Sequence, residues 1–280
     1  MTAVRLTPKR VEKPWGRRDL ALFGPVPYEA DPVGEIWFED PAGAARPLLV
    51  KYLFTSEKLS IQVHPGDADA RAAGYPSGKD EAWVVLGADE GAVIGVGLRR
   101  PVTPDELRAA ALDGSIEQLL DWRPAAAGDV YYSPAGTIHA LGQGLALIEV
   151  QQNVDLTYRL YDYGRPRELH LDESIAVADP VPYEPPFAPR AEGEGRLILA
   201  EGPAFVLERW TRPTEGRLAA AAAAPLWLIP VAGTGRVAGE PLEPGEVWIV
   251  EGETALALDE GADLLIAYAE PKARTDLLKS

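Results

Sequence analysis

Within residues 51–81, two pairs of side chains that can bind a metal or carry charge share the same spacing, namely Gln62 with His64 and Lys79 with Glu81. In LSIQVH, apolar and polar residues alternate with the period of a β-strand, so Gln62 and His64 leave the backbone on one face. Lys79 and Glu81 repeat this spacing before the apolar run AWVVLGA, and they share a face if the segment is extended. Because the chain has three histidines in all, one beside a glutamine on a polar strand face indicates a metal site.

The elements that must position these side chains are predicted to be strands. With 280 residues, the chain can form one large domain or two small ones with a substantial core. Its 26 prolines and 27 glycines are scattered, which is typical of many short strands joined by turns. The composition therefore favours an all-β core.

Charge and composition exclude several classes of function. A net charge of -16 would repel nucleic acid and anionic lipid, so neither a nucleic acid nor a membrane partner is expected. The chain has no cysteine, so a metal must be bound through nitrogen and oxygen. The segment MTAVRLTPKRVEKPWG lacks the apolar region of a signal peptide, and no run approaches the ~20 apolar residues of a membrane span. These observations predict a cytoplasmic protein.

A second informative stretch is AGDVYYSPAGTIHALGQG. The spacing of Gly128, Pro134 and His139 resembles the second sequence motif of the cupin barrels, in which a tight turn precedes a strand that points the histidine into the barrel. Two departures are evident. Gln143 stands near the position of the family's usual asparagine, and the first motif is altered, with Gln62 in place of its first histidine and its glutamate much farther along the chain.

These departures are typical of one cupin branch. The segments LSIQVHP, GKDE, PAGTIHAL and IEVQQNVDLTYRLYDYGRPRELHLDESIAVAD resemble, in this order, motifs of bacterial type I phosphomannose isomerases. The resemblance covers roughly residues 13 to 180, and the joint occurrence of the motifs is far more specific than any one of them. A single short helical insertion at 104–122 is similar to the compact bacterial members. The resemblance implies a mainly β fold with two cupin-type jelly-roll barrels.

The resemblance also implies a metal, usually zinc, bound by Gln62, His64, Glu81 and His139. Other divalent transition metals remain open. One carboxylate and three neutral ligands leave a divalent ion at a formal +1, so it retains Lewis acidity for a substrate oxygen. The implied reaction interconverts mannose 6-phosphate and fructose 6-phosphate through an enediolate. Lys79 and Arg159 match residues of the family that act in substrate binding and catalysis, and the general base is left unassigned.

Further substrate contacts rest on weaker signals. Besides Lys79 and Arg159, the candidates for contacting the sugar phosphate are Ser60, Trp15 and Arg165. Each has an alternative: Ser60 could contact a metal ligand without touching the substrate, Trp15 could pack in the hydrophobic core, and Arg165 could be a solvated surface arginine. Other polar residues are predicted to lie outside the site, with Lys51 and Arg167 in solvent and His170 structural.

The expected domain organisation follows from composition along the chain. Residues 1–180 are predicted to form the metal-binding catalytic domain, with helices near 104–122 that are broken at Gly114 and capped by Thr103. The run EGAVIGVGLRR is predicted to be the hairpin partner of AWVVLGA. Residues 181–280 are predicted to form a smaller cupin-like β domain. This part contains no histidine, so packing, lid or dimer roles are expected for it, and a homodimer is possible.

Two other classes of function remain open from the sequence. One is a metal-binding cupin without isomerase activity, such as a sugar-binding or regulatory protein. The other is a cupin oxygenase, which needs redox-active iron with open positions. The presence of both Lys79 and Arg159 favours the isomerase, because neither alternative needs that pair of cations.

Overall fold

The computed structural model describes residues 3–220 and 224–279 and is mainly β, as the sequence predicts. Part of the alanine run at 219–224, for which strand or loop is expected, lies outside these residues. The strands up to residue 161 are β1 (Ala3–Arg5), β2 (Thr7–Arg17), β3 (Val33–Glu39), β4 (Leu48–Phe54), β5 (Ile61–Val63), β6 (Glu81–Ala88), β7 (Val93–Leu98), β8 (Leu120–Pro124), β9 (Val130–Ser133), β10 (His139–Leu141), β11 (Leu145–Gln152) and β12 (Tyr158–Tyr161).

The second half of the chain continues with short strands. These are β13 (Arg190–Ala191), β14 (Arg196–Glu201), β15 (Val206–Trp210), β16 (Thr214–Ala219), β17 (Leu226–Ala232), β18 (Gly235–Val237), β19 (Glu240–Leu242), β20 (Trp248–Val250), β21 (Glu253–Leu258), β22 (Asp263–Tyr268) and β23 (Leu278–Lys279). The helices of the described chain are α1 (Asp67–Ala72), α2 (Pro104–Asp113), α3 (Ile116–Leu119) and α4 (Leu171–Val177), with a 3-10 turn at Ala21–Phe23. None of these helices is long and apolar enough to cross a membrane.

The helical insertion begins and breaks where the sequence predicts. The Thr103 hydroxyl accepts a hydrogen bond from the Glu106 amide at 3.2 Å and caps α2. The helix ends at Gly114, whose φ of 82° is a left-handed conformation that suits glycine. Residues 120–122, predicted as helix, instead begin strand β8, because Leu120 pairs with Leu98 at the edge of a sheet.

Two sheets face each other in the first half of the molecule. A six-stranded sheet has the order β2-β3-β4-β11-β6-β9, and a five-stranded sheet has the order β12-β5-β10-β7-β8. The predicted hairpin of β6 and β7 is wrong, since β6 pairs with β11 and β9, whereas β7 pairs with β10 and β8. The turn at 89–92 therefore joins the two sheets, which places the residues of β6 opposite those of β5 and β10.

The second half forms two further sheets. The seven-stranded one has the order β1-β20-β17-β22-β15-β14-β13, and the five-stranded one has the order β19-β18-β21-β16-β23. Strand β1 belongs to the C-terminal sheet, because Ala3–Arg5 pair with Trp248–Val250. A buried cluster that includes Trp210, Leu228 and Tyr268 fills the space between these sheets.

The largest buried cluster joins the two halves. It contains Tyr52 and Val84 from the six-stranded sheet and Phe205 and Trp227 from the second half. Each fully buried side chain of this size contributes about 1.5–3 kcal/mol through removal from water. The six-stranded sheet is thus supported from behind by the C-terminal strands, while its other face looks toward the five-stranded sheet.

Candidate metal centre and active site

The candidate ligands come from both sheets of the first half. Gln62 is the central residue of β5, and its backbone lies opposite His139 of β10 on one side and Arg159 of β12 on the other. His64 follows directly after β5. Glu81 begins β6 in the facing sheet. The space between the sheets therefore receives polar side chains from both of its walls.

Three of these side chains converge closely. One ligand atom each from His64, Glu81 and His139 lie within 4.8 Å of one another, and all three residues are buried. The Glu81 Oε1 atom is 3.3 Å from His64 Nε2 and 3.0 Å from His139 Nε2. The ligands of a tetrahedral zinc ion lie about 3.3 Å apart, given metal–ligand distances near 2.0–2.1 Å.

Both histidines are oriented by the backbone. His64 Nδ1 is 2.8 Å from the Leu156 carbonyl oxygen, and His139 Nδ1 is 2.9 Å from that of Thr137. A carbonyl only accepts, so each Nδ1 carries the proton and donates it. Nε2 is then the atom turned toward Glu81 in each ring, and in the neutral imidazole it carries the lone pair that a metal ligand requires.

The charges of the cluster favour an ionised Glu81 beside a neutral His64. Burial alone would raise the pKa of Glu81, but the Lys79 ammonium 3.1 Å away holds it well below its usual range. Burial, reinforced by Lys79, lowers the pKa of His64 to about 3. Burial opposes the charge on Lys79, yet the carboxylates of Glu81 and Glu149 outweigh it and raise the pKa of that lysine.

The donor set fits a divalent metal ion. Neither oxygen of the buried Glu81 receives a hydrogen bond of good geometry, although three nitrogens lie close to them. Such a carboxylate is costly unless a cation completes its environment. One carboxylate and two neutral imidazoles are ligands that zinc commonly takes in sites with an open position.

Gln62 is placed to complete this set. Its Nε2 atom is 3.2 Å from His139 Nε2, and its Oε1 accepts a hydrogen bond from the Ser60 hydroxyl at 3.0 Å. Rotation of the amide by half a turn would present the carbonyl oxygen to the cluster, and the NH₂ group would then donate to Ser60. Ser60 therefore contacts a candidate ligand directly.

A cavity of about 590 Å³ opens onto this cluster. Of the expected substrate contacts, Ser60, Trp15, Lys79 and Arg159 line it. Trp15 is also buried against Leu53 and Trp83, so it belongs to the core and to the cavity wall.

Arg165, for which the sequence leaves both a substrate contact and a surface position open, is not among the residues that line the cavity. Its guanidinium donates to Asp162, Glu57 and the Lys58 carbonyl. Two residues assigned elsewhere from the sequence do line the cavity, namely Arg167 and His170. His170 also makes two hydrogen bonds with the backbone of Arg159. The His170 Nδ1 accepts from the Arg159 amide at 3.2 Å, and the His170 amide donates to the Arg159 carbonyl at 2.8 Å.

A second buried ion pair on the cavity wall was missed from the sequence. Lys51, predicted to lie in solvent, is buried, and its Nζ is 3.1 Å from Glu149 Oε1. The other oxygen of Glu149 accepts a hydrogen bond from the Trp83 indole at 3.0 Å. The register of the six-stranded sheet puts Trp37, Lys51, Glu149 and Trp83 in one row across adjacent strands. This alignment depends on strand pairing, which no local pattern indicates.

Arg159 differs from the other cations of the cavity. Its Nη1 donates to the Glu168 carbonyl at 3.0 Å, and it takes part in none of the ion pairs found among residues 3–220 and 224–279. Its charge is therefore available to an anion that enters the cavity.

Comparison with known proteins gives a consistent result. No model of a known protein family matches the chain. Over 226 residues it is 35% identical to "Mannose-6-phosphate isomerase" from Streptococcus mutans, an alignment that covers 75% of this chain and 70% of that protein. The chain belongs to the mannose-6-phosphate isomerase family. It is also 38% identical over 165 residues to "Mannose-6-phosphate isomerase ManA" from Bacillus subtilis, covering 54% of this chain and 52% of the relative.

Solved structures of this family share the fold. The crystal structure of the mannose 6-phosphate isomerase from Bacillus subtilis superposes with a TM-score of 0.79 at 28% identity, covering 95% of this chain and 99% of that one. A zinc-bound mannose 6-phosphate isomerase has a TM-score of 0.72 at 18% identity, covering 96% and 100%. At that identity the second match is evidence for the fold alone.

Proposed function

We propose that this chain is a metal-dependent aldose–ketose isomerase that interconverts mannose 6-phosphate and fructose 6-phosphate. The observation that carries the proposal is the buried group of His64, Glu81 and His139, whose ligand atoms turn toward one another beside Lys79 in the main cavity of a member of this family. A passive binding protein has no need of a buried lysine at such a centre.

The proposed ligands of the ion are Gln62, His64, Glu81 and His139, and the proposed ion is zinc. When bound, it would polarise substrate oxygens and reduce the cost of the negative charge that develops as a proton leaves the carbon next to the carbonyl. Ser60 would hold the Gln62 amide through its hydroxyl. The backbone carbonyls at Leu156 and Thr137 would keep the two imidazoles in the binding tautomer.

The cations of the cavity are proposed to handle negative charge. Lys79, with its raised pKa, stays protonated and donates to oxygen atoms of the reacting carbons rather than accepting a proton. Arg159, which has no carboxylate partner among the described residues, binds the phosphate or the developing oxyanion. Arg167 replaces Arg165 as the second arginine at the cavity, and Trp15 provides an apolar wall.

Proton transfer needs a group outside the ligand set. Glu81 is committed to the ion, whereas Glu149 is a buried carboxylate that lines the cavity and is paired with Lys51. We assign the transfer of the proton between the two substrate carbons to the Lys51–Glu149 pair. The assignment leaves Lys79 to stabilise charge.

A metal-dependent assay tests the proposal. The protein is freed of metal with a chelator, reloaded with zinc, manganese or cobalt, and analysed for bound metal and for conversion of mannose 6-phosphate in a coupled assay. We expect one ion per chain and activity that returns with the ion, with free mannose as the control substrate. Stoichiometric metal without turnover of mannose 6-phosphate would contradict the isomerase and support a non-catalytic binding protein.

Three wider assignments are part of the same proposal. Residues up to about 180 form the catalytic domain, except that β1 pairs with the C-terminal sheet, and residues 181–280 form a supporting β domain. The location is the cytoplasm, and a homodimer is possible. Cell fractionation tests the location, and light scattering of the purified protein tests the dimer.

A further inference from the structure

The residue between Lys79 and Glu81 faces away from the cavity and is also buried. Asp80 directly precedes β6, and strand alternation puts it on the side of Ala82 and Val84, which belong to the core shared with the C-terminal half. Its carboxylate accepts a hydrogen bond from the Tyr132 hydroxyl at 2.6 Å and another from the Ala135 amide at 2.9 Å. Nothing in the proposed chemistry uses this carboxylate.

Asp80 joins the segments that carry the candidate ligands. Ala135 lies in the turn that leads to His139, and the next residue, Gly136, donates its amide to the His64 carbonyl at 2.8 Å. The Asp80 backbone is fixed in turn by Gln152, since its amide donates to Gln152 Oε1 at 2.9 Å and its carbonyl accepts from the Gln152 amide at 3.1 Å. One carboxylate thus ties the turn before His139 to the strand that bears Glu81.

Tyr132 connects this carboxylate to the C-terminal half. Its ring packs edge-on against Phe205, with ring centroids 5.7 Å apart and planes at 88°. Gly202 approaches even more closely, because a Cβ atom added there would lie 1.8 Å from the Tyr132 hydroxyl oxygen. Burial and the neighbouring carboxylate raise the pKa of Tyr132, so its hydroxyl keeps its proton and donates. The hydroxyl position is therefore set by residues of the second half.

We propose that Asp80 and Tyr132 are positioning residues of the metal centre and that the C-terminal half promotes metal retention through them. The C-terminal contribution comes from Phe205 and Gly202, which position the Tyr132 hydroxyl against the Asp80 carboxylate. The inference rests on the proposed metal site and gives the half without histidine a specific role. Groups that orient metal ligands typically affect metal affinity by about 10–100-fold when they are removed.

The molecule offers a matched control. Tyr268 donates its hydroxyl to the buried carboxylate of Glu208 at 2.5 Å, which is the same chemical contact, but within the C-terminal half. Tyr268→Phe and Tyr132→Phe each remove one buried tyrosine hydroxyl from one buried carboxylate. They differ in whether that carboxylate adjoins the metal ligands.

The experiment measures the rate at which fully loaded protein releases zinc to a chromogenic chelator, with thermal unfolding of the metal-free variants measured separately. We expect about tenfold faster release for Tyr132→Phe and for Asp80→Ala. The double variant should release zinc no faster than Asp80→Ala alone, because both changes break one connection. Tyr268→Phe should release zinc at the wild-type rate while losing comparable thermal stability.

Phe205→Leu provides a second test that keeps the hydroxyl. It removes the edge-on ring contact from the C-terminal side and should speed release by about threefold. Release from Tyr132→Phe at the same rate as from Tyr268→Phe would overturn the inference, and so would additive effects in the double variant. If Tyr132→Phe does not fold, an unchanged rate for Phe205→Leu overturns it. A wild-type protein that binds no zinc would instead refute the proposed metal site, and this inference with it.

Discussion

The two halves of the molecule each bury a glutamate completely, and the two carboxylates differ in the number of hydrogen bonds that they accept. Glu208, in the C-terminal half, accepts hydrogen bonds from Arg196 Nε at 2.7 Å, Arg196 Nη2 at 2.8 Å, the Trp210 indole at 2.9 Å and the Tyr268 hydroxyl at 2.5 Å. Glu81, in the first half, has three nitrogens at 3.0–3.3 Å, but neither of its oxygens receives a well-formed hydrogen bond.

This difference separates a structural ion pair from a site prepared for a ligand. Burying a carboxylate costs several kcal/mol unless its lone pairs are used. The protein groups around Glu208 donate enough hydrogen bonds to offset this desolvation cost, so the Glu208 carboxylate does not need a ligand. Around Glu81 the surrounding nitrogens belong to two imidazoles and one ammonium, and a divalent ion would satisfy the remaining lone pairs. The presence of a buried charge is therefore less informative than the number of its hydrogen bonds.

Exchanging each carboxylate for an amide should produce opposite outcomes. Glu81→Gln removes the anionic ligand, so we expect about a thousandfold loss of kcat/KM and loss of bound zinc, and the buried Lys79 ammonium that it leaves uncompensated should also lower the stability of the metal-free protein. Glu208→Gln leaves the Arg196 charge poorly compensated and should cost roughly 3 kcal/mol in the free energy of unfolding, with near-normal activity at 25 °C. Metal analysis, the coupled assay and urea unfolding check both variants. Normal zinc binding by Glu81→Gln would break the comparison.

Lys79 sharpens the comparison, because the proposed mechanism gives this cation the task of stabilising charge beside the Glu81 cluster. We expect Lys79→Met to retain zinc and to lower kcat by about a hundredfold, the usual size of a lost acid–base or charge-stabilising group. Exchange of the C2 proton of the substrate in deuterated water separates the possibilities. Full exchange with slow turnover would restrict Lys79 to substrate binding or to a later step.

The local part of this site could be predicted from the sequence. The alternation around Gln62 and the Lys79–Glu81 spacing concern neighbouring residues on one strand, and a strand has only two faces. The family resemblance added His139, and the three buried ligand atoms do come together. The mainly β class also followed from turn-forming residues that are scattered along the chain.

The rest depends on strand pairing between distant segments. An apolar run followed by a glycine turn is compatible with a hairpin and with a crossing between sheets, so β7 was assigned to the wrong partner. Lys51 is buried because the register of β4 and β11 places Glu149 beside it. The sequence gives no sign that Asp80 differs from an ordinary polar residue, because its contacts with Tyr132 and Ala135 form only in the folded structure. Such contacts are decided by tertiary structure rather than by local propensity.

The stability of the metal-free protein should depend on pH through His64. Its pKa in the folded protein is lowered from 6.5 to about 3, so the unfolded chain binds a proton below pH 6.5 that the folded chain refuses. The stabilisation is therefore complete above pH 6.5 and is lost as the pH falls toward 3, at about 1.4 kcal/mol per pH unit. Urea unfolding of the wild type and of His64→Gln between pH 7 and pH 5, above the titration of most carboxylates, measures this contribution as a difference in slope. His64→Gln should show a shallower slope by about one proton, and equal slopes would contradict a buried neutral imidazole.

The smallest expected effect distinguishes two arginines that the sequence could not rank. Arg165 donates to Asp162, Glu57 and the Lys58 carbonyl and does not line the cavity. Arg167 makes two hydrogen bonds to Asp162 and does line the cavity. We expect Arg167→Ala to raise KM for mannose 6-phosphate about fivefold, the equivalent of about 1 kcal/mol for one charged contact, with kcat little changed. Arg165→Ala, which removes the same charge at a site fully occupied by protein partners, should change KM less than twofold. A larger effect for Arg165 would mean that the bound sugar phosphate draws the Arg165 side chain away from Glu57. The hydrogen bonds of Arg165 would then not indicate a structural role, whereas those of Glu208 would.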